Sequence, residues 1–139
     1  MPLTLKVRDV MEGNVIMLDG DRPVMEALKK MVENNVWSVV VTVDDLPVGV
    51  VTERDILRRA VIKGFDLERV PLKNIMSHPL ITISPDAPFG EAWKLMVDKD
   101  IRRIYVVEGG KIIGRVTRAG LLRNLLDAVL VLASLTTTI

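Results

Sequence analysis

Cysteine is absent, which excludes a disulfide framework, thiolate chemistry and cysteine-held metals. Histidine occurs once, at His78, with no cluster of carboxylates beside it, so no metal-ligand set is expected. One imidazole also leaves no Ser/His/Asp set to build on. Gly-rich phosphate loops are missing, both the P-loop and G-x-G-x-x-G forms, and no carboxylate pair is spaced for general acid–base work. The chain is therefore not expected to be an enzyme. Net charge is nearly missing too, at +1, so nothing argues for a nucleic-acid or strongly acidic partner. The start, MPLTLKVRDVM, has no apolar h-region and no cleavage site. The most apolar stretch, Leu121–Leu135, is broken by Arg123, Asn124 and Asp127 and falls short of a membrane span. These absences predict a soluble, cytoplasmic protein without membrane contact.

What is present is a repeat. Val7–Arg58 slides onto Leu72–Arg123 without a gap, and identical residues coincide at Met11/Met76, Asp21/Asp86, Pro23/Pro88, Glu26/Glu91, Ala27/Ala92, Gly49/Gly114 and Thr52/Thr117, among others. Most remaining positions exchange like for like, as at Val36/Ile101 and Val39/Ile104. Such a repeat predicts two copies of one small unit, residues 1–66 and 67–139, packed about a pseudo-twofold axis. Each half, at about 60 residues, is too small to be more than marginally stable alone, so the two are expected to fold together.

Each copy opens on a short β-branched segment, Val15–Leu18 or Leu80–Ile83, read as a strand. A helix start follows, with Asp21 or Asp86 two residues before Pro23 or Pro88. The helix predicts a buried stripe of Val24, Leu28, Met31 and Val32, matched by Phe89, Trp93, Met96 and Val97. Two strands come next, Val36–Val43 and Pro47–Val51, then Ile101–Val107 and Lys111–Val116, turning at Asp44-Asp45 and Gly109-Gly110. A second helix begins at Thr52 or Thr117, with Ile56-Leu57 or Leu121-Leu122 directed inward. The fold class is thus α/β (α+β), two tandem β-α-β-β-α units. The last helix runs on to about Ser134, and its apolar surplus predicts a homodimer, packing onto its own core being the alternative.

One segment concentrates polar chemistry: Gly49-Val-Val-Thr52-Glu-Arg-Asp55, where hairpin meets helix. Thr52 and Asp55 lie one turn apart at a helix N-terminus. On spacing alone they read first as a capping pair. The same two side chains can also accept and donate to vicinal hydroxyls, as a ribose presents, with the helix end favouring a nearby anion. The second copy keeps Gly114 and Thr117 but has Gly120 in place of the acid. If the acid serves a ribose, the two copies are no longer equivalent. Arg102-Arg103, facing Trp37-Ser38 in the alignment, are either solvated or phosphate contacts, and Arg115 and Arg118 are weaker candidates. Met25, Met31 and Met96 are read as core.

A gapless tandem with D-x-P-h-h-E-A before one helix and G-h-V-T-x-x-D before the next resembles the CBS-domain pair, or Bateman module, from about Val7 to Leu126. The resemblance implies a non-catalytic sensor that binds an adenine nucleotide, AMP first and ADP or ATP next, between the two copies and signals to an unknown regulated protein. It implies no cofactor beyond that ligand, and no metal. By this resemblance Thr52 and Asp55 hold the ribose. His78, Pro79, Leu80 and Ile81 sandwich the adenine with Ile101, and Arg102 and Arg103 meet phosphates. Asn14, Val15, Ile16 and Thr117 form a second, weaker site. Trp37-Ser38, non-basic beside the intact acid, keeps S-adenosylmethionine or methylthioadenosine open as the ligand. A purely structural dimerisation module is the remaining alternative.

Overall fold

A computed structural model describes residues 5–136; the outer ends of the two predicted copies, residues 1–4 and 137–139, lie outside the described residues. The order is α1 (Val7–Val10), β1 (Met17–Asp19), α2 (Val24–Asn34), β2 (Ser38–Val43), β3 (Leu46–Thr52) and α3 (Glu53–Ile56), the last continuing as a π-helical turn over Leu57–Val61. A 3₁₀ turn at Leu72–Asn74 precedes β4 (Thr82–Ile83), α4 (Phe89–Asp98), β5 (Arg103–Glu108), β6 (Lys111–Thr117) and α5 (Arg118–Thr136). The two three-stranded sheets, β1-β2-β3 and β4-β5-β6, share one topology: the first strand pairs parallel to the second, the second antiparallel to the third. The fold is mixed α+β, as the patterning predicts. Both hairpins turn through two residues of positive φ, Asp44 and Asp45 in one and Gly109 and Gly110 in the other. Aspartate tolerates that left-handed conformation better than most side chains, so an acidic pair can do the work of the glycines.

Contacts gather the chain into two compact units that cut across the sequence copies. One is Val15–Ile81, called here the Asp55 unit; the other, the Gly120 unit, joins Met1–Asn14 to Thr82–Ile139. The cause is the short leader at the head of each copy, which docks on the body of the other. In the Asp55 unit the first N–H groups of α2 are taken by the link, Val24 N–H to Val70 O at 2.9 Å and Met25 N–H to Leu67 O at 2.9 Å. In the Gly120 unit Phe89 N–H donates to Leu5 O at 2.9 Å. These orphan donors need partners, and a passing backbone supplies them. Leu72 and Ile75 are buried in the first case and Val7 in the second.

Three expectations are corrected. The acids and prolines expected at the helix starts lie ahead of the first turn: α2 and α4 begin at Val24 and Phe89 with Pro23 and Pro88 at the N-cap, and Asp21 Oδ1 meets Lys73 Nζ at 2.6 Å. The buried stripe of α2 is Val24, Ala27 and Met31 with Leu28 half-buried, whereas Val32 is 64% exposed; on α4 the buried pair is Ala92 and Met96, with Trp93 and Val97 exposed. At 100° per residue Val32 stands about 80° round from Val24, on the side away from Ala27, so the stripe cannot hold both. For the same reason only Ile56 and Leu121 turn inward; Leu57 and Leu122 face out. The described helices include none long and apolar enough to cross a membrane.

Candidate functional site

The best-formed polar centre lies in the Asp55 unit, at the step from β3 to α3. Thr52 ends the strand in extended conformation and accepts from Asp55 N–H at 3.2 Å through Oγ1. Asp55 replies with Oδ2, which takes Thr52 N–H at 2.9 Å and Thr52 Oγ1–H at 3.1 Å. The capping pair predicted from spacing is therefore formed in full. Asp55 is nonetheless 7% exposed, and its second oxygen is not spent on the helix: Oδ1 accepts from Ser77 Oγ at 2.8 Å. Arg59, one turn on, approaches that oxygen at 3.9 Å and donates to Met76 O at 2.9 Å. The buried carboxylate thus ties the helix to the leader that carries Ser77.

That leader is pinned by backbone. Val50 and Ser77 exchange hydrogen bonds of 2.9 and 2.8 Å. The approach is close enough to demand glycine next door: a Cβ on Gly49 would stand 2.7 Å from Ser77 O and 2.8 Å from Met76 Sδ. His78, Pro79, Leu80 and Ile81 follow directly, the first two exposed and the last two half-buried, with the His78–Pro79 peptide cis. Of the residues singled out in sequence, Thr52, Asp55 and His78–Ile81 share this unit. Ile101, Arg102 and Arg103 belong to the Gly120 unit, at the head of β5, with Arg102 exposed and Arg103 half-buried. Asn14 and Thr117 also fall in the Gly120 unit, while Val15 and Ile16 open the Asp55 unit.

Arg115 and Arg118 prove to have other work. Arg118 donates to Met96 O and Ile101 O, holding the C-terminal end of α4, and Arg115 is buried against Glu12. Sequence reasoning missed Ser77, Arg59 and Glu12. Ser77 and Glu12 align with each other in the repeat, and that was the available signal. A cavity of about 640 Å³ in the Asp55 unit is lined by Arg59, Lys63, Phe65, Arg69 and Asn74 among others, and none of the predicted site residues borders it.

The family pattern of the CBS domain matches residues 7–62 and again residues 72–127. The chain belongs to the CBS-domain family. It is 38% identical over 122 residues to the uncharacterized protein MK0525 of Methanopyrus kandleri, covering 86% of this chain and 62% of that one. Two Methanocaldococcus jannaschii relatives are spanned over 32% and 60% of their lengths, so the chain covers less than two thirds of these curated relatives. Among solved structures, an uncharacterized conserved protein from Pyrococcus horikoshii matches with a TM-score of 0.80 at 33% identity, over 89% of this chain and 94% of that one. The CBS domain protein PAE2072 from Pyrobaculum aerophilum, solved in complex with AMP, matches with a TM-score of 0.77 at 29% identity, over 84% and 90%. This CBS pair is thus a tandem module, and the family is one of ligand-binding regulatory units.

Proposed function

We propose that this CBS pair senses an adenine nucleotide, AMP in the first place, and passes its occupancy to a partner protein. In this reading Thr52 and Asp55 engage the ribose hydroxyls, and the His78–Ile81 segment lies against the base. The observation that carries it is the buried Asp55 carboxylate, held by Thr52 on one oxygen and by a leader hydroxyl, Ser77, on the other. A carboxylate offers about four lone-pair positions, and three are used here, so one remains for a ligand hydroxyl. Ser77 Oγ–H can also be exchanged for a ribose hydroxyl at little net cost, because one hydrogen bond replaces another. The AMP complex of PAE2072 supports the choice of ligand. Ile101, Arg102 and Arg103 are assigned to base and phosphate on the family resemblance, a proposal tested by substituting each in turn.

The test is denaturant unfolding read by Trp37 and Trp93, one tryptophan in each unit, with and without AMP, ATP or S-adenosylmethionine. A ligand at 100 times its Kd adds about 2.7 kcal/mol to stability. AMP is expected to shift the curve and Asp55→Ala to reduce the shift by the contribution of the Asp55 site. S-adenosylmethionine shifting it alone would move the reading to the methylthioadenosine class, which Trp37-Ser38 favours.

The complete capping geometry favours a second reading, in which Asp55 is structural and the module only oligomerises. Under it Asp55→Ala lowers stability by about 1–2 kcal/mol and no nucleotide shifts the curve at millimolar concentration.

A further inference from the structure

Three matched positions change together between the copies. Val50, Asp55 and Ser77 in the Asp55 unit correspond to Arg115, Gly120 and Glu12 in the Gly120 unit. Glu12 is held as Ser77 is, by a reciprocal backbone pair, here with Arg115, both bonds 2.8 Å. The leader therefore brings Glu12 to the same place against its unit that it brings Ser77 in the other. Gly120 N–H still donates to Thr117 Oγ1 at 3.0 Å, so the threonine cap persists without the acid. Into the vacated space comes Glu12: its Oε1 stands 3.2 Å from where a Cβ on Gly120 would be, with Thr117 Oγ1 at 2.9 Å from the same point.

The position of Glu12 is enforced. Its Oε2 accepts from an Arg115 terminal nitrogen at 3.0 Å, and Arg115 is 8% exposed. A guanidinium so buried is costly without its carboxylate, which anchors Glu12 in turn. Oε1 is left with no hydrogen-bond partner among the described residues, and Glu12 borders a cavity of about 260 Å³ shared with Asp9, Arg123 and Asn124. The side chains of Arg123 and Asn124 likewise make no hydrogen bond or ion pair among the described residues. An open acceptor, a cation and an amide thus converge on one small pocket. Small-molecule sites usually run about 300–1,000 Å³, so this one suits a sugar phosphate with any base left outside it.

We propose that Glu12 replaces the missing helix acid as the hydroxyl-accepting carboxylate of a second site, in the Gly120 unit, and that Arg123 meets the anionic group of the same ligand. This rests on the nucleotide reading and extends it: the chain takes two nucleotides rather than one, through carboxylates delivered by different elements.

Calorimetric titration of the full chain with AMP tests it. The wild type is expected to bind two equivalents, Asp55→Ala to keep one, and Glu12→Gln to weaken the Gly120-unit site by about tenfold or more, as befits a lost hydrogen bond to a charged group. The triple variant Glu12→Ser, Arg115→Val, Gly120→Asp gives this unit the residues of its counterpart and should restore two equivalents. Two equivalents surviving Glu12→Gln with unchanged circular dichroism overturn the inference. So does a loss that the triple variant fails to restore. One equivalent, lost in Asp55→Ala and untouched by Glu12→Gln, overturns the inference alone and leaves the Asp55 site standing. One equivalent kept by Asp55→Ala and lost in Glu12→Gln does the reverse, and no binding to the wild type defeats both.

Discussion

At the scale of single residues, the glycines at 49 and 114 are required by what passes over them. A Cβ on Gly114 would meet Glu12 O at 2.8 Å and Met11 Sδ at 2.9 Å, repeating the Gly49 contacts with Ser77 O and Met76 Sδ. Backbone carbonyls cannot swing aside as a side-chain end can, so the strand and the leader must part. Gly49→Ala is expected to cost about 1–3 kcal/mol, the usual range for overpacking, measured as a lower denaturation midpoint. An unchanged midpoint would mean that the leader lifts off freely. Met11 and Met76, identical in the alignment, thereby acquire a reason: each lies over the glycine of the opposite copy.

At the scale of elements, the leaders are the decisive parts. The Asp21–Lys73 ion pair has its counterpart in Asp86 and Arg8, 3.5 Å apart, so each copy's leader cation reaches the acid before the other copy's first helix. Asp21 raises the Lys73 ammonium above the ordinary lysine value, by hydrogen bond first and charge second. A folded-state pKa above the unfolded one contributes stability that is whole below the unfolded value and disappears as pH climbs through the folded one. Lys73→Gln should therefore unfold more easily than wild type near neutrality, by a small margin since the pair is exposed, and the two should converge at strongly alkaline pH. Parallel curves across the whole range would assign the effect to lost packing against Gly20 instead. Deeper in the same leader, Leu72→Ala is expected to cost about 2–5 kcal/mol, read by thermal or denaturant unfolding, because Leu72 is wholly buried. A change under about 1 kcal/mol would show that the leader contributes little to the core.

At the scale of the molecule, α5 carries an apolar face left exposed by the described residues. Leu122, Leu125, Leu126, Val129 and Leu130 recur at i, i+3, i+4, i+7 and i+8 along it, and each is more than half exposed. Burying a leucine is worth roughly 1.5–3 kcal/mol, so this stripe favours association. We expect a second copy of the chain to cover it, since one aliphatic, uncharged stripe can be its own complement about a twofold axis. Light scattering after size exclusion should give a dimer, and Leu126→Glu with Val129→Glu should give a monomer. A wild-type monomer, or a dimer indifferent to those changes, would remove α5 from the interface.

The gapless repeat by itself determined that there are two copies, their β-α-β-β-α order, both hairpin turns and the Thr52/Asp55 pair. These follow from local periodicity and turn chemistry, which neighbouring residues dictate without knowing what lies across the fold. Tertiary structure decided where the leaders go. Nothing in the spacing of Met11, Asp21, Gly49 or Leu72 says that each answers to the other copy, because that pairing depends on orphan helix N–H groups and buried side chains meeting across long stretches of chain. It also decided the partners of Asp55 and the position of the Glu12 carboxylate. Sequence places Ser77 and Glu12 far from Asp55 and Gly120; only the docked leader brings hydroxyl and acid to the heads of α3 and α5.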